Sequence, residues 1–172
     1  MTTMRTVAAL LAGLGLAVTT GCSGGTAGYS EVEVGHLTLE RPESWSEEPA
    51  TGELWTQRYV GDGMELQVSG EFSTDPTASA AYSRLDLPAT VQLEGYEGSG
   101  VDNATVEGAD TAVRSDFTYT EDGTPHQGVW VIAGQWPSPS TAAIAITGET
   151  LDATVVDQII ASLRFSRTGG GS

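Results

Sequence analysis

Leu151-Asp152-Ala153-Thr154-Val155-Val156-Asp157-Gln158-Ile159-Ile160-Ala161-Ser162-Leu163-Arg164 is the stretch that decides the fold. Its apolar residues Leu151, Val155, Val156, Ile159, Ile160 and Leu163 recur at helical spacing and form one stripe, with Gln158 on the opposite face. Glu149 and Asp152 stand at the positive end of this helix, and Arg164 and Arg167 near its negative end, as the macrodipole favours. A helix with one apolar stripe must bury it against another element. The two runs before it, 128–134 and 142–147, are nearly continuous apolar segments, the pattern of central strands covered on both faces. The helix is therefore expected to lie on the sheet that those strands form.

Working outward, the period is mostly two. Val113, Ser115, Phe117 and Tyr119 alternate with Arg114, Asp116 and Thr118, and Glu121-Asp122-Gly123 turns the chain. Met64, Leu66 and Val68 alternate with Glu65, Gln67 and Ser69. Gly61-Asp62-Gly63 joins that strand to one expected over 54–60, where Trp55 and Tyr59 share a face. His36 to Glu40 places Leu37 and Leu39 together, and Pro42 stops the strand. Residues 76–94 read as a helix that starts after Asp75-Pro76 and that Pro88 interrupts or ends. Residues 95–100 read as loop, and Pro137 and Pro139 mark the join between the two central strands. These elements predict an α+β fold: a mainly antiparallel sheet flanked by helices, an α/β/α sandwich.

The ends of the chain carry a different message. Met1 to Arg5 is a short basic start, followed by an apolar run over 7–18 of about 12 residues, then Thr19-Thr20-Gly21-Cys22. That run suits a signal core and is too short to span a bilayer. Cys22 is the only cysteine of the chain, and Ser23-Gly24-Gly25 follows it. The pattern is that of a bacterial lipoprotein signal over residues 1–21, with Cys22 as the lipid attachment residue. Thr19 stands where leucine is usual, and the plain alternative is a secretory signal with an incidental cysteine. With no second cysteine there is no disulfide, so the domain must rest on its core. Residues 22–33 read as the lipidated cysteine and a flexible tether, 34–166 as the globular domain, and 167–172 as a disordered tail.

All seven basic residues are arginines against 23 acidic ones, for a formal net charge of −16. No basic stripe exists to displace the counterions of a nucleic acid, which excludes nucleic-acid partners. Anionic headgroups would repel the surface, so membrane association is expected through the acyl chains at the outer face of the cytoplasmic membrane. Arginine without lysine, with abundant Ala, Gly, Thr and Val, suggests a high-GC, actinobacterial source.

The order of elements resembles the PsbP-like (Ran-binding Mog-type) fold, and within it the LpqN-type actinobacterial lipoproteins. The matching residues are Leu37-Thr38-Leu39-Glu40-Arg41-Pro42-Glu43-Ser44-Trp45 and the close from Gly148-Glu149-Thr150-Leu151 to Ile159-Ile160-Ala161-Ser162-Leu163-Arg164-Phe165, and the likeness spans about residues 34–166. The resemblance implies helices around an antiparallel sheet and a binding or accessory role without catalysis.

Chemistry is sparse. His36 and His126 have no metal-ligand spacing around them, so no metal or cofactor is expected. Neither a Gly-x-Ser-x-Gly elbow nor a Ser-x-x-Lys is present, and no catalytic residue is assigned. Carboxylates pair at Glu47-Glu48 and Glu121-Asp122, with Asp102 and Asp110 further candidates, which leaves an envelope hydrolase as one alternative. Asn103-Ala104-Thr105 is a sequon without expected use. Of four tryptophans, Trp55 and Trp130 read as core, Trp45 as the cap of a core edge, and Trp136, before Pro137, as a candidate anchor for a partner or for a sheet edge. The expectation is a membrane-anchored envelope lipoprotein with a non-catalytic binding or accessory role toward an unknown protein or small molecule. The other alternative is an assembly partner of a membrane complex.

Overall fold

The structure, a computed structural model, describes residues 26–136 and 140–166. The leader 1–21, Cys22, the first part of the tether, Pro137, Pro139 and the tail 167–172 lie outside the described residues.

The strands are β1 (Tyr29–Val34), β2 (Leu37–Pro42), β3 (Ser46–Glu48), β4 (Gln57–Gly61), β5 (Met64–Ser73), β6 (Glu94–Gly98), β7 (Asp102–Asn103), β8 (Thr111–Glu121), β9 (Thr124–Gln135), β10 (Ser140–Gly148) and β11 (Arg164–Phe165); the helices are α1 (Ala78–Gln92) and α2 (Ala153–Ala161). The fold is α+β. An eight-stranded sheet has the order β3-β4-β5-β10-β9-β8-β6, with β7 paired to β8, and a three-stranded sheet has the order β1-β2-β11. Every strand pair is antiparallel.

Tight turns set this order. Asp62 (φ 54°) and Gly63 (φ 73°) join β4 to β5, and Asp122 (φ 49°) and Gly123 (φ 79°) join β8 to β9. Two consecutive positive φ values make the two-residue turn whose twist matches paired strands, and Asp-Gly tolerates them. The central strands β9 and β10 are buried along both faces, as their composition requires.

One face of the large sheet carries Leu66 and Val68 from β5, Val129 and Val131 from β9 and Ile144 and Ile146 from β10. The small sheet and α2 close it, with Leu37, Leu39, Val156, Ile159, Leu163 and Phe165 in the same buried cluster. The predicted helical stripe is therefore the buried one, with Leu151, Val155 and Ile160 at its margin. Asp152 caps α2 by accepting from the backbone N–H of Thr154 at 2.8 Å. The two sheets meet where Gly35 (φ 54°) lies against Gly70 and His36 N–H donates to Gly70 C=O at 3.1 Å. A Cβ on Gly70 would overlap the backbone of Val34, so glycine is required for this approach.

The opposite face is closed by α1. Its buried residues are Ala78, Ala81, Leu85 and Ala89, small side chains that let the helix lie close to Ala143, Ala145, Trp130 and Ile132. Thr77 caps it by accepting from Ala80 N–H at 3.2 Å.

Several expectations are corrected. Pro88 sits inside α1 and does not end it. It and Arg84, whose carbonyl loses its partner, are exposed, so water replaces the missing bond. Residues 54–56 are outside the strand, which starts at Gln57, and Trp55 and Tyr59 pack into different clusters on opposite faces. Part of the region read as loop is strand β6, held by backbone pairing to β8. The segment read as tether contains β1, whose six residues all pair with β2. Glu31 and Glu33 stay exposed there while Val32 and Val34 turn inward, which is how an edge strand hides in an acidic stretch.

Candidate functional site: an aromatic groove under the first helix

Gly128 in β9 faces Phe117 in β8 across the ladder. A Cβ on Gly128 would overlap the Phe117 ring, so glycine frees the space that the ring fills. Phe117 then stacks on Trp130 with centroids 4.0 Å apart, and Tyr96 from β6 packs on both at 5.9 and 6.0 Å. Tyr119 extends the row from Phe117 at 6.0 Å, and His126 adjoins Tyr119 at 5.2 Å. The rings belong to one face because residues two apart on a strand point the same way.

Where α1 leaves this row, a groove of about 270 Å³ opens. Its apolar lining includes Trp55, Leu85, Ala89, Phe117, Tyr119 and Trp130. Leu54 at one lip is 39% exposed. An adjoining cavity of about 460 Å³ shares Glu65, Tyr119, Glu121 and Thr147 with it and adds Arg58 and His126.

Beside the groove, Tyr82 and Tyr96 both donate to Asp86 Oδ1, at 2.8 and 2.7 Å, and Ser115 Oγ donates to Tyr82 at 3.3 Å. Burial, then the Asp86 hydrogen bond, pushes the Tyr96 phenol up, so it stays a neutral donor. Burial likewise pushes up Tyr82 and Tyr119, and Glu121 adds to the Tyr119 shift. This network ties the middle of α1 to β6 and β8.

The cations near the groove are engaged. Arg58 pairs with Glu65 at 2.6 Å and Glu48 at 2.9 Å. Arg84 pairs with Asp75, which lowers the Asp75 carboxyl from its ordinary value and raises the guanidinium. Among the described residues Glu121 has no arginine partner, and His126 Nε2 lies 3.7 Å from it.

The sequence-predicted residues fall elsewhere. Trp136 is 58% exposed at the far end of β9, where its backbone N–H donates to Asp110 Oδ2 at 3.2 Å. It does not line the groove. Glu48 is drawn into the Arg58 pair, and Asp102 lies on β7 away from Glu121. The histidines are apart: His36 bonds Ser166 C=O at 2.8 Å and stacks on Phe165, and His126 bonds Thr124 C=O at 3.1 Å. Among the described residues no cluster of three His, Cys, Asp or Glu side chains has metal-binding geometry. Sequence reasoning missed the groove, although Phe117 and Tyr119 on one face and Trp130 opposite were its visible signal.

No protein-family model matches the chain, and no curated protein matches it. Among solved structures it is similar to the crystal structure of LpqN, described as involved in cell envelope biogenesis of Mycobacterium tuberculosis, at 15% identity and a TM-score of 0.49, over 80% of this chain and 90% of that one.

Proposed function

We propose that the protein is a non-catalytic binding protein of the cell envelope, held at the outer face of the cytoplasmic membrane through a lipid on Cys22, that takes a small ligand with apolar surface into the groove under α1. The Gly21-Cys22 junction behind an apolar run supports the anchor, and the PsbP-like resemblance at 37–45 and 148–165 supports the accessory role. Among the described residues no helix is long and apolar enough to cross a membrane.

The observation that carries the reading is the opening beside α1 between half-buried Trp55 and Tyr119, at the edge of the buried Phe117–Trp130 stack. The groove joins this apolar surface to polar side chains, Glu65, Gln67, Arg84, Gln92 and Glu121, and concave sites that combine the two are the usual form of small-molecule sites. Carboxylates bound into arginine pairs at Glu48, Glu65, Asp75 and Asp116 favour binding over acid–base chemistry.

The experiment is fluorescence titration with the uncharged dye N-phenyl-1-naphthylamine. Saturable binding by the wild type, weakened at least tenfold in Trp55→Ala while circular dichroism is unchanged, supports the groove. Absence of binding, or equal binding by both, overturns it. For the anchor, Cys22→Ala should abolish labelling by a palmitate analogue in cells, and labelling at wild-type level overturns that part.

One observation favours assembly as a second reading. Leu87 (64% exposed) and Val91 (86% exposed) lie one turn apart on the outer side of α1. Cross-linking from Val91→Cys to a membrane protein in intact cells would favour it.

A further inference from the structure

The groove has a polarity that its apolar floor does not explain. The side that adjoins the second cavity is lined by Glu65, Tyr119, Glu121 and Thr147; the rest of the lining includes Trp55, Leu85, Ala89, Trp130 and Arg84, whose guanidinium is paired with Asp75. Both carboxylates belong to the end at that second cavity, and the two nearby arginines are held by Glu48, Glu65 and Asp75. The acids around these pairs outnumber the arginines, and Glu121 adds a charge that no arginine offsets among the described residues. The whole chain carries −16. An anion entering this end would meet the carboxylate of Glu121, which no arginine offsets among the described residues, and a cation would meet that carboxylate beside an aromatic ring.

We infer that the groove selects a small organic cation: its apolar body rests on Trp55 and Leu54, and its positive end sits beside the Tyr119 ring and the carboxylate of Glu121, on the side away from His126. This rests on the groove reading proposed above and adds the charge of its ligand. A cation on the face of a tyrosine or tryptophan ring is attracted by the ring quadrupole, and more strongly where water is excluded. Burial raises the Tyr119 phenol first; Glu121 and, less strongly, Glu65 add to the rise, and a hydrogen bond with Thr147 opposes it. The carboxylates that oppose a phenolate here attract an ammonium at the same place.

The test uses a matched pair of probes, N-(4-phenylbutyl)trimethylammonium and 5-phenylpentanoate, each titrated against dye-loaded full-length protein at physiological salt. Charges beyond about 8 Å are screened there, so the long-range pull of the acidic chain is suppressed and local contacts remain. The cation is expected to displace the dye at least tenfold more readily than the anion. Glu121→Gln should cut that preference severalfold, and Glu43→Gln, which removes the same charge at an exposed position on the small-sheet side, should not. Trp55→Ala should weaken both probes and the dye.

The outcomes separate the two ideas. If the dye binds and is lost in Trp55→Ala, but the two probes compete equally, the cation inference is overturned and the groove stands. If Glu121→Gln and Glu43→Gln lower the preference equally, it arises from total charge and the inference is again overturned. If the dye itself does not bind, the groove reading fails and the inference falls with it.

Discussion

The two faces of the large sheet are made by the same strands and closed in different ways. Strand β10 sends Ile144 and Ile146 to one face and Ala143 and Ala145 to the other; β9 sends Val129 and Val131 one way and Trp130 and Ile132 the other. On the first face, branched aliphatic side chains interlock with α2 and the small sheet, and Leu39, Leu66, Ile144, Ile146 and Ile159 have no exposed surface. On the second, alanines of α1 cover the stacked rings of Phe117 and Trp130, and half-buried Trp55 and Tyr119 stay accessible beside them. Aliphatic residues fill space in many directions, whereas flat rings stack and leave a slot where the stack ends. One face is thus built for stability and the other keeps an opening, and the alternation of two central strands divides the tasks.

The comparison breaks most directly at α2. Ile159 is fully buried among the aliphatic side chains. Ile159→Ala is expected to cost about 2–5 kcal/mol in denaturant unfolding, from lost burial and a residual cavity. Thr154→Ala, on the exposed side, should stay within about 0.5 kcal/mol. Equal costs would show that the helix does not dock by its stripe. Gln158 is not the neutral control that its place opposite the stripe suggests, because its amide donates to Glu40 Oε2 at 3.0 Å and Thr26 Oγ1 at 2.9 Å.

The aromatic face is sharpened by Gly128→Ala. The added methyl must push Phe117 off its stack with Trp130, and overpacking of this kind costs about 1–3 kcal/mol. The distinctive outcome is a change in tryptophan emission together with altered dye binding. A stable variant with wild-type emission would mean that the ring has room elsewhere, and the packing account of the groove would be wrong.

A third test concerns the seal of the aliphatic face. Glu40 is buried and accepts from Thr26 N–H at 3.1 Å as well as from Gln158, and its own N–H donates to Ser162 Oγ at 2.8 Å. Hydrogen bonds from Thr26, side chain and then backbone, and from Gln158 outweigh burial and lower its carboxyl below 4.5. A folded value below the unfolded one means that the unfolded chain binds protons first. The stability due to Glu40 is therefore full above about pH 5 and is lost as pH falls through the lowered folded value. Glu40→Gln should cost about 1–2 kcal/mol at pH 7. The gap between the two unfolding curves should narrow only below about pH 4.5. A gap that is constant down to pH 3 would show that the ionised form is not what is held.

Much of this architecture was legible because it is local. Asp62-Gly63 and Asp122-Gly123 announce their turns, the runs at 128–134 and 142–147 announce doubly covered strands, and the stripe from Leu151 to Leu163 announces its own burial. What was not legible depends on partners distant in sequence. β1 and β6 are strands because β2 and β8 offer them backbone groups, and Glu40 is buried because Thr26 and Gln158 reach it. Trp55 faces away from Tyr59 because the chain leaves the strand period before Gln57. The groove shows the same limit. Its rings are visible as an alternation in β8, but where α1 stops covering them is a matter of packing. Pro88 misled in the same way, since its effect depends on whether the carbonyl of Arg84 reaches water.

The smallest expected effect is at Trp136, and it separates exposure from function. The residue is 58% exposed at the end of β9 opposite to the groove, and its backbone N–H donates to Asp110, a bond that a side-chain change leaves in place. With more than half of its surface exposed Trp136 has little burial to lose, so Trp136→Ala should cost less than about 1 kcal/mol in denaturant unfolding. It should also leave dye binding and the preference between the two phenylalkyl probes unchanged, because no part of the groove lining involves it. A loss of dye binding in Trp136→Ala would place the ligand at this end of the sheet and not under α1. A loss of stability above about 1 kcal/mol would instead show the ring packed over the sheet edge, the other role that its place before Pro137 suggests.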